Sequence, residues 1–217
     1  MRLSLIIPCY NEGRSIPALM ERCSEIVRNL EIEVIFVDNG STDDTPELLE
    51  ELLPRVPGCR SVRVDENIGY GWGILKGREA AKGTLLGWTH ADLQTDPLDA
   101  LKGLKLFERH GPDIFVKGLR HGRPPSDTLF TAGMSVFETM LLGRVMRDIN
   151  AQPTMFSREF FQSWTNPPRD FSLDLYAYYT ARTSRLPIHR FPVQFTPRVH
   201  GISHWNFNAR AKVRFIK

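Results

Sequence analysis

The sequence predicts an α/β fold in which a mostly parallel central sheet carries helices on both faces. Three observations carry this reading. Short apolar runs such as Leu5-Ile6-Ile7, Val34-Ile35-Phe36-Val37 and Leu85-Leu86-Gly87-Trp88 alternate with stretches of helical periodicity. Each run has the length of a buried strand, and each is followed by a polar cluster. With 217 residues and 41% hydrophobic content, the chain can bury one full core, and it shows no internal repeat, low-complexity segment or linker.

The elements follow in order. Leu3-Ser4-Leu5-Ile6-Ile7-Pro8 reads as a strand ended by proline. Ser15 is placed to cap a helix whose apolar residues Ile16, Leu19, Met20, Cys23, Ile26, Val27 and Leu30 recur every three or four positions, so one face must be buried. Val34–Val37 is a second core strand, and Thr45-Pro46 opens a second helix with a cap residue and a first-turn proline. After the shorter strand Ser61-Val62-Arg63-Val64, a Gly-rich helix start leads through Ala80-Ala81-Lys82-Gly83 to the strand Thr84–Thr89. Beyond Pro97 we expect a helix to about His110, the strand Ile114–Lys117 and an apolar helix over Leu129–Leu142. That helix, with Leu129, Phe130, Met134, Phe137, Met140 and Leu141, is expected in the core; the alternative is a surface that rests on a membrane. A polar stretch from Asp148, a helix near Leu173–Arg182 and the strand Ile188–Phe195 complete the chain.

In open parallel sheets, ligands collect outside the carboxyl ends of the strands. Cys9-Tyr10-Asn11-Glu12, Asp38-Asn39-Gly40-Ser41 and His90-Ala91-Asp92 each follow a predicted strand, so three polar turns should converge on one edge. Taken alone, Asp38–Ser41 is equally an Asx-type turn into a helix, and His90 a buried, hydrogen-bonded histidine. Asp96 in Thr95-Asp96-Pro97 reads as a helix cap.

Composition removes several classes. No apolar run approaches the ~20 residues of a membrane span. Met1–Ile7 imitates a signal peptide only faintly, because Pro8 and Asn11-Glu12 interrupt it, so we expect a cytoplasmic chain. Cys9, Cys23 and Cys59, odd in number and widely spaced, suit neither a disulfide framework nor a zinc site. Gly69-Tyr70-Gly71-Trp72-Gly73 lacks the spacing of a dinucleotide-binding turn, which argues against a nicotinamide enzyme. The net charge of +3 conceals an asymmetry: after Asp174 there are eight cations and no acidic residue, leaving −5 for residues 1–174. Such a tail suits a diphosphate, a lipid phosphate or an anionic membrane surface. No recognised motif accompanies it that would point to nucleic acid.

The segments IIPCYNEGRSIPAL, FVDNGSTDDTPELL, ENIGYGWGILKGREAAKGTLLGWTHADLQTDP and FTPRVHGISHW, in this order and spacing, resemble the inverting nucleotide-sugar glycosyltransferases of family 2, which have a GT-A fold. ADLQ after the fourth strand and the R-x-x-G-x-S segment are most similar to the polyprenyl-phosphate sugar synthases, such as dolichol-phosphate mannose synthase. The resemblance implies one glycosyltransferase domain, with a nucleotide-binding part over about residues 1–96 and an acceptor-binding part over about 97–217. It implies a nucleotide pocket lined by Pro8, Tyr10 and Glu12, with Asp38 on the base or ribose and Val37, Asn39, Ala91 and Asp92 beside it. Where many members carry a second aspartate, this chain has Asn39.

Departure of a nucleoside diphosphate needs its growing charge neutralised, commonly by a divalent cation. Asp92 falls on the second acidic position of the family's D-x-D, Gln94 on an amide that joins it, and His90 on the first position. These three are the expected ligands for Mn²⁺ or Mg²⁺, although a protonated His90 would attract diphosphate without metal. Asp92 and Asp174 are the candidate catalytic residues. Asp174 is the base if the acceptor is a glycan or small-molecule hydroxyl, and it orients a neighbour if the acceptor is a polyprenyl phosphate, which arrives ionised. Arg120 and Arg198 are expected to clamp phosphates, with Gln152, Ser203 and His204 nearby; Asp148, Asn150 and Gln152 form a polar group that either reaches the sugar or makes a plain turn. The resulting expectation is sugar transfer from a GDP- or UDP-sugar to polyprenyl phosphate, with peripheral contact at the cytoplasmic membrane face. The alternatives are transfer to a hydroxyl, or a nucleotide-binding protein of this fold without activity.

Overall fold

The structure is a computed structural model that describes residues 2–197. Arg198, Ser203, His204 and the last four cations of the basic tail therefore lie outside the described residues.

Among the described residues, seven strands form one sheet in the order β3-β2-β1-β4-β6-β5-β7. They are β1 (Leu3–Cys9), β2 (Ile32–Asn39), β3 (Cys59–Val64), β4 (Leu85–Trp88), β5 (Phe115–His121), β6 (Thr154–Ser157) and β7 (Ile188–Gln194). The helices are α1 (Ile16–Ile26), α2 (Thr45–Leu52), α3 (Tyr70–Ala80), α4 (Asp99–His110), α5 (Pro125–Leu142), α6 (Arg158–Gln162) and α7 (Leu173–Thr183). All ladders are parallel except those of β6, which runs against both β4 and β5.

β1 and β2 are buried on both faces, which is why they read as unbroken apolar runs rather than alternating ones. The two-residue period sends Leu3, Leu5 and Ile7 to a core shared with Leu19 and Cys23 of α1 and Leu104 and Phe107 of α4. Ile6, Ile35 and Val37 go to the opposite core, with Ile74 of α3, Leu173 and Tyr178 of α7, and the aromatic group Trp88, Phe115, Phe156 and Phe160. All three cysteines are free, and Cys9 and Cys23 are buried.

α3 lies close on β1 and β2 because Gly77 permits it. A Cβ there would stand 2.5 Å from Ile6 Cγ2 and 2.8 Å from Val37 Cγ2. Alanine is ordinarily the better helix residue by about 1 kcal/mol. Gly77→Ala is nevertheless expected to lower unfolding stability by about 1–3 kcal/mol, as overpacked cores do, measured by urea denaturation.

Three local expectations need correction. Ser15 sits at the α1 N-cap, but its hydroxyl donates to Glu12 Oε2 at 3.1 Å instead of accepting a helix N–H. Asp44, not Thr45, precedes α2; Thr45 Oγ1 donates to Asp43 Oδ1 and accepts the Glu12 N–H at 3.0 Å. Both hydroxyls serve the loop after β1, whose irregular backbone needs partners more than the helices do. The third correction is α5, none of whose described side chains is buried. Thr131, Ser135 and Thr139 turn inward and most of its apolar residues outward, with Leu142 packed on the core cluster, against the expectation of a core helix. Among the described residues no helix is long and apolar enough to cross a membrane.

β5 runs on to His121, past the expected end at Lys117, because β7 pairs with it over its whole length, from Phe115–Ile188 to His121–Gln194. That extension fixes the position of Arg120.

Candidate active site

β1 lies between β2 and β4, and the register sets their carboxyl ends side by side. Cys9 is opposite Asp38, Ile6 is opposite Trp88, and the Thr89 N–H donates to Ile6 O at 3.1 Å. The loops after β1, β2 and β4 therefore leave one edge of the sheet, as the three polar turns anticipated.

The first two loops are stitched together. Asn11 adopts a left-handed conformation, φ 55°; its N–H donates to Ser41 Oγ at 3.1 Å and its Oδ1 accepts the Thr42 N–H at 2.8 Å. The Gly13 N–H donates to Asp43 Oδ2. Tyr10 remains exposed on this rim, while Pro8 packs near α3 at Gly73.

Asp38 is buried and serves both readings of its sequence. Oδ1 accepts the Ser41 N–H at 2.9 Å, closing an Asx-type turn, whereas Oδ2 is 3.4 Å from Arg63 Nη1 and accepts no hydrogen bond among the described residues. Asn39 explains its own difference from aspartate. Its Nδ2 donates to Gly69 O at 2.9 Å and Asn67 Oδ1 at 3.2 Å, which a carboxylate cannot do, and so anchors the start of α3 to the end of β2. Gly40, at φ 74°, leaves no room for a side chain against Asn67 N. Val37 and Ala91 sit in the two cores, so only their backbones are available at the rim.

In the third loop, Asp92 is buried and its Oδ1 accepts the Gln94 N–H at 3.2 Å, with Leu93 between them at φ 56°. Gln94 is held by the segment after β7: its carbonyl accepts the Thr196 N–H at 2.9 Å, and its Nε2 donates to Thr196 O at 3.4 Å. His90 meets the ring of Tyr70 edge-on, with centroids 5.5 Å apart. Asp96 does not cap α4, whose N-cap is Leu98; its Oδ1 accepts the Leu98 N–H at 3.0 Å in the turn before the helix, and it pairs with Arg22.

Tyr70 connects the rim to a deeper polar group. It is the first residue of α3, next to the Gly69 carbonyl that Asn39 holds, and it stacks on Phe171 at 4.8 Å. Burial raises its pKa well above the usual phenol value, and the fields of Asp174 and Asp92 raise it further. Both carboxylates therefore act on this one hydroxyl.

Asp174 itself lies below the rim. Its Oδ1 accepts from Gln152 Nε2 at 2.9 Å, Trp88 Nε1 at 3.2 Å, Lys117 Nζ at 3.3 Å and Thr154 Oγ1 at 3.4 Å. Lys117 is fully buried and also bonds Thr154 Oγ1 at 2.6 Å. Burial lowers its pKa to about 8 despite the opposing field of Asp174. Gln152 Oε1 is buried without a partner among the described residues.

Arg120 points to Asp148. Its Nε donates to Oδ1 at 2.8 Å, Nη2 bonds the same oxygen, and its backbone N–H donates to Oδ2 at 3.0 Å. Arg123 Nη2 approaches the same carboxylate at 3.7 Å. Burial pushes the Asp148 carboxyl up, but Arg120, with help from Arg123, holds it below the ordinary value. Two guanidiniums thus share one carboxylate and keep one net positive charge. The sequence reading missed Lys117, Tyr70 and Arg123; a lysine ending the apolar run Ile114-Phe115-Val116 was the one available signal.

The fold is similar to that of glucosyl-3-phosphoglycerate synthase from Mycobacterium tuberculosis, solved with Mn²⁺, uridine diphosphate and glucosyl-3-phosphoglycerate. The TM-score is 0.71 at 21% identity, covering 93% of this chain and 73% of that one. A mannosyltransferase from Pyrobaculum calidifontis, solved with GDP-mannose and Mn²⁺, matches with a TM-score of 0.67 at 21% identity, covering 92% and 57%. In sequence, the chain is 29% identical over 172 residues to the undecaprenyl-phosphate 4-deoxy-4-formamido-L-arabinose transferase of Serratia proteamaculans (strain 568), covering 76% of this chain and 52% of that protein. It is 32% identical over 149 residues to the dodecaprenyl-phosphate galacturonate synthase of Rhizobium johnstonii, covering 67% and 43%. The chain spans about half the length of these relatives or less. The fold is GT-A, and residues 4–166 match the model of Glycosyl transferase family 2, so the chain belongs to that family.

Proposed function

We propose that this chain transfers one sugar, with inversion, from a GDP- or UDP-sugar to a polyprenyl phosphate at the cytoplasmic face of a membrane. The observation that carries the reading is the meeting of the Asp38 and Asp92 loops at one sheet edge, on the two strands that flank β1. The names of the polyprenyl-phosphate relatives support the acceptor class. Pro8, Tyr10, Glu12 and Asp38 form the nucleotide side: Tyr10 offers an exposed ring, and Asp38 Oδ2 is an acceptor for a base N–H or ribose hydroxyl.

The donor set fits a divalent cation, Mn²⁺ or Mg²⁺. Asp92 supplies a hard carboxylate and His90 and Gln94 stand on the same loop; with no group of three His, Cys, Asp or Glu side chains among the described residues, these residues would hold the cation together with diphosphate or water oxygens. When bound, such a cation neutralises the departing diphosphate as a Lewis acid.

On the acceptor side a phosphate monoester, with its second pKa near ~6, needs positioning rather than deprotonation. Arg120 and Arg123, with their shared Asp148, provide a largely buried cationic group for it. Asp174 then acts as a positioning residue: its Oδ1 accepts four hydrogen bonds and so fixes Gln152 and the indole of Trp88. The test is radiolabelled donor offered with extracted polyprenyl phosphate or with soluble sugar acceptors. Labelled lipid supports the reading; labelled soluble glycan alone replaces it with hydroxyl transfer and Asp174 as base.

A binding prediction is independent of the acceptor. One nucleoside diphosphate should raise the melting temperature in the presence of Mn²⁺, by linkage worth about 2.7 kcal/mol at one hundred times its Kd. Asp38→Asn keeps an Oδ1 to accept the Ser41 N–H but loses the charge. Its nucleotide affinity should fall about 10- to 100-fold, the worth of a charged hydrogen bond, as read by calorimetric titration.

A further inference from the structure

α5 is amphipathic in the reverse of the usual sense. Thr131, Ser135 and Thr139, four residues apart, form one stripe that bonds inward. Thr131 Oγ1 accepts from Arg123 Nη1 at 2.8 Å, Ser135 Oγ from the Asp148 N–H at 3.3 Å, and Thr139 Oγ1 from the Met146 N–H at 2.9 Å. The opposite face carries Leu129, Val136, Phe137, Met140 and Leu141, which are 75%, 60%, 49%, 73% and 71% exposed. An ordinary surface helix buries such a stripe and shows its polar face to water. Here 18 residues, about 27 Å of helix at 1.5 Å per residue, do the opposite. Exposed apolar patches of that extent mark interaction surfaces.

The charges select the occupant. Between Asp127 and Asp148 the only acidic residue is Glu138, half-buried on the side of the hydroxyl stripe. Exposed Arg144 and Arg147 follow the helix directly, with exposed Val145 between them. A second copy docking on this face would need the patch to bring its own counter-charges to those arginines, and the patch has none. An anionic bilayer satisfies the apolar face and the arginines together. The inner stripe, moreover, holds Arg123 and the backbone of Asp148, the same pair that Arg120 joins, so a lipid phosphate at those arginines has its hydrocarbon beside α5.

We propose that α5 is a membrane-docking element whose outer face beds into an anionic phospholipid bilayer, lying in its plane beside the Arg120–Asp148–Arg123 group. This rests on the lipid-phosphate reading of the acceptor for its purpose, but not for its test. The full chain is mixed with vesicles of phosphatidylcholine alone, or with phosphatidylglycerol at three parts in ten, and separated by flotation. The chain should float with the anionic vesicles. Substituting Val136, Phe137, Met140 and Leu141 together by serine should cut the bound fraction at least tenfold. Arg144→Gln with Arg147→Gln should cut it about fivefold per arginine and flatten its salt dependence.

Retained stabilisation by nucleoside diphosphate shows that the variants fold. Turnover on a short-chain, water-soluble prenyl phosphate, unchanged in the serine variant, separates docking from chemistry. The proposal is overturned if the wild-type chain stays with the soluble fraction, if the serine variant floats equally well, or if sedimentation velocity shows a dimer that the serine variant dissolves. Failure of the wild-type chain to turn over the short-chain acceptor would instead count against the proposed reaction and leave the vesicle result standing.

Discussion

Asp92→Asn is expected to lower sugar transfer by about 100- to 1000-fold while the protein remains folded. Asparagine keeps an Oδ1 that can accept the Gln94 N–H, so the turn through Leu93 survives, and what disappears is the one carboxylate charge in the His90–Gln94 loop. That charge is proposed to hold a cation against a diphosphate whose negative charge grows as the glycosidic bond breaks. Each factor of ten in rate corresponds to about 1.4 kcal/mol of transition-state stabilisation, and removing one electrostatic contact of this kind typically costs two to three such factors. Single-turnover rates with radiolabelled donor measure the effect. The Mn²⁺ dependence of nucleoside diphosphate affinity should vanish in the same variant, whereas wild-type rates in Asp92→Asn would remove Asp92 from the mechanism.

Asp174→Ala is expected to destabilise the fold by about 3–5 kcal/mol, the cost of leaving a buried partner uncompensated. Lys117, Gln152, Trp88 and Thr154 all direct donors at the Asp174 carboxylate, and Lys117 has no exposed surface through which water can replace it. For a domain of this size the loss corresponds to a fall of roughly 10 °C in Tm. Replacing Lys117 by methionine together with Asp174 by leucine should recover much of it, because the pair is removed as a unit.

The same lysine gives a pH signature. Its folded pKa is lowered to about 8 from an ordinary 10.5, chiefly by burial. Between these values the unfolded chain holds a proton that the folded chain has released, so stability attributable to Lys117 rises with pH across that window. The difference between wild type and Lys117→Met should therefore grow in favour of wild type from pH 8 to pH 10.5, approaching about 3 kcal/mol; a flat difference would place the ammonium in a more polar setting. Activity separates positioning from base catalysis: Asp174→Asn should retain most turnover on polyprenyl phosphate, whereas abolished turnover on a hydroxyl acceptor would mark Asp174 as the base.

Much of the site was legible because its signals are local. An apolar run of strand length that ends in Asp38-Asn39-Gly40-Ser41 or His90-Ala91-Asp92 identifies both a buried strand and the polar turn at its end, and a parallel sheet brings such ends to one edge. The partners of those residues were not legible. Asn39 looked like a weakened aspartate until its amide was seen donating to Gly69 O, 30 positions away. Asp174 read as a base or as an orienting residue at a helix start, yet its indole donor Trp88 comes from 86 positions earlier.

The sequence by itself determined the order of strands and helices from β1 to α5, the two-sided burial of β1 and β2, and which loops carry acidic residues, because periodicity and chain breaks are properties of neighbouring positions; it missed β6 and α6, which are short and carry too few positions for a period to show. Only the tertiary structure decided that Asp174 is enclosed with Lys117 and that α5 turns Thr131, Ser135 and Thr139 inward and Leu129, Phe137 and Leu141 outward. Burial of a charge and the facing of a helix depend on which distant surface stands opposite. A helical stripe has the same spacing whether it meets the core, water or a bilayer, so only the packing of the body beneath it reveals which side remains open.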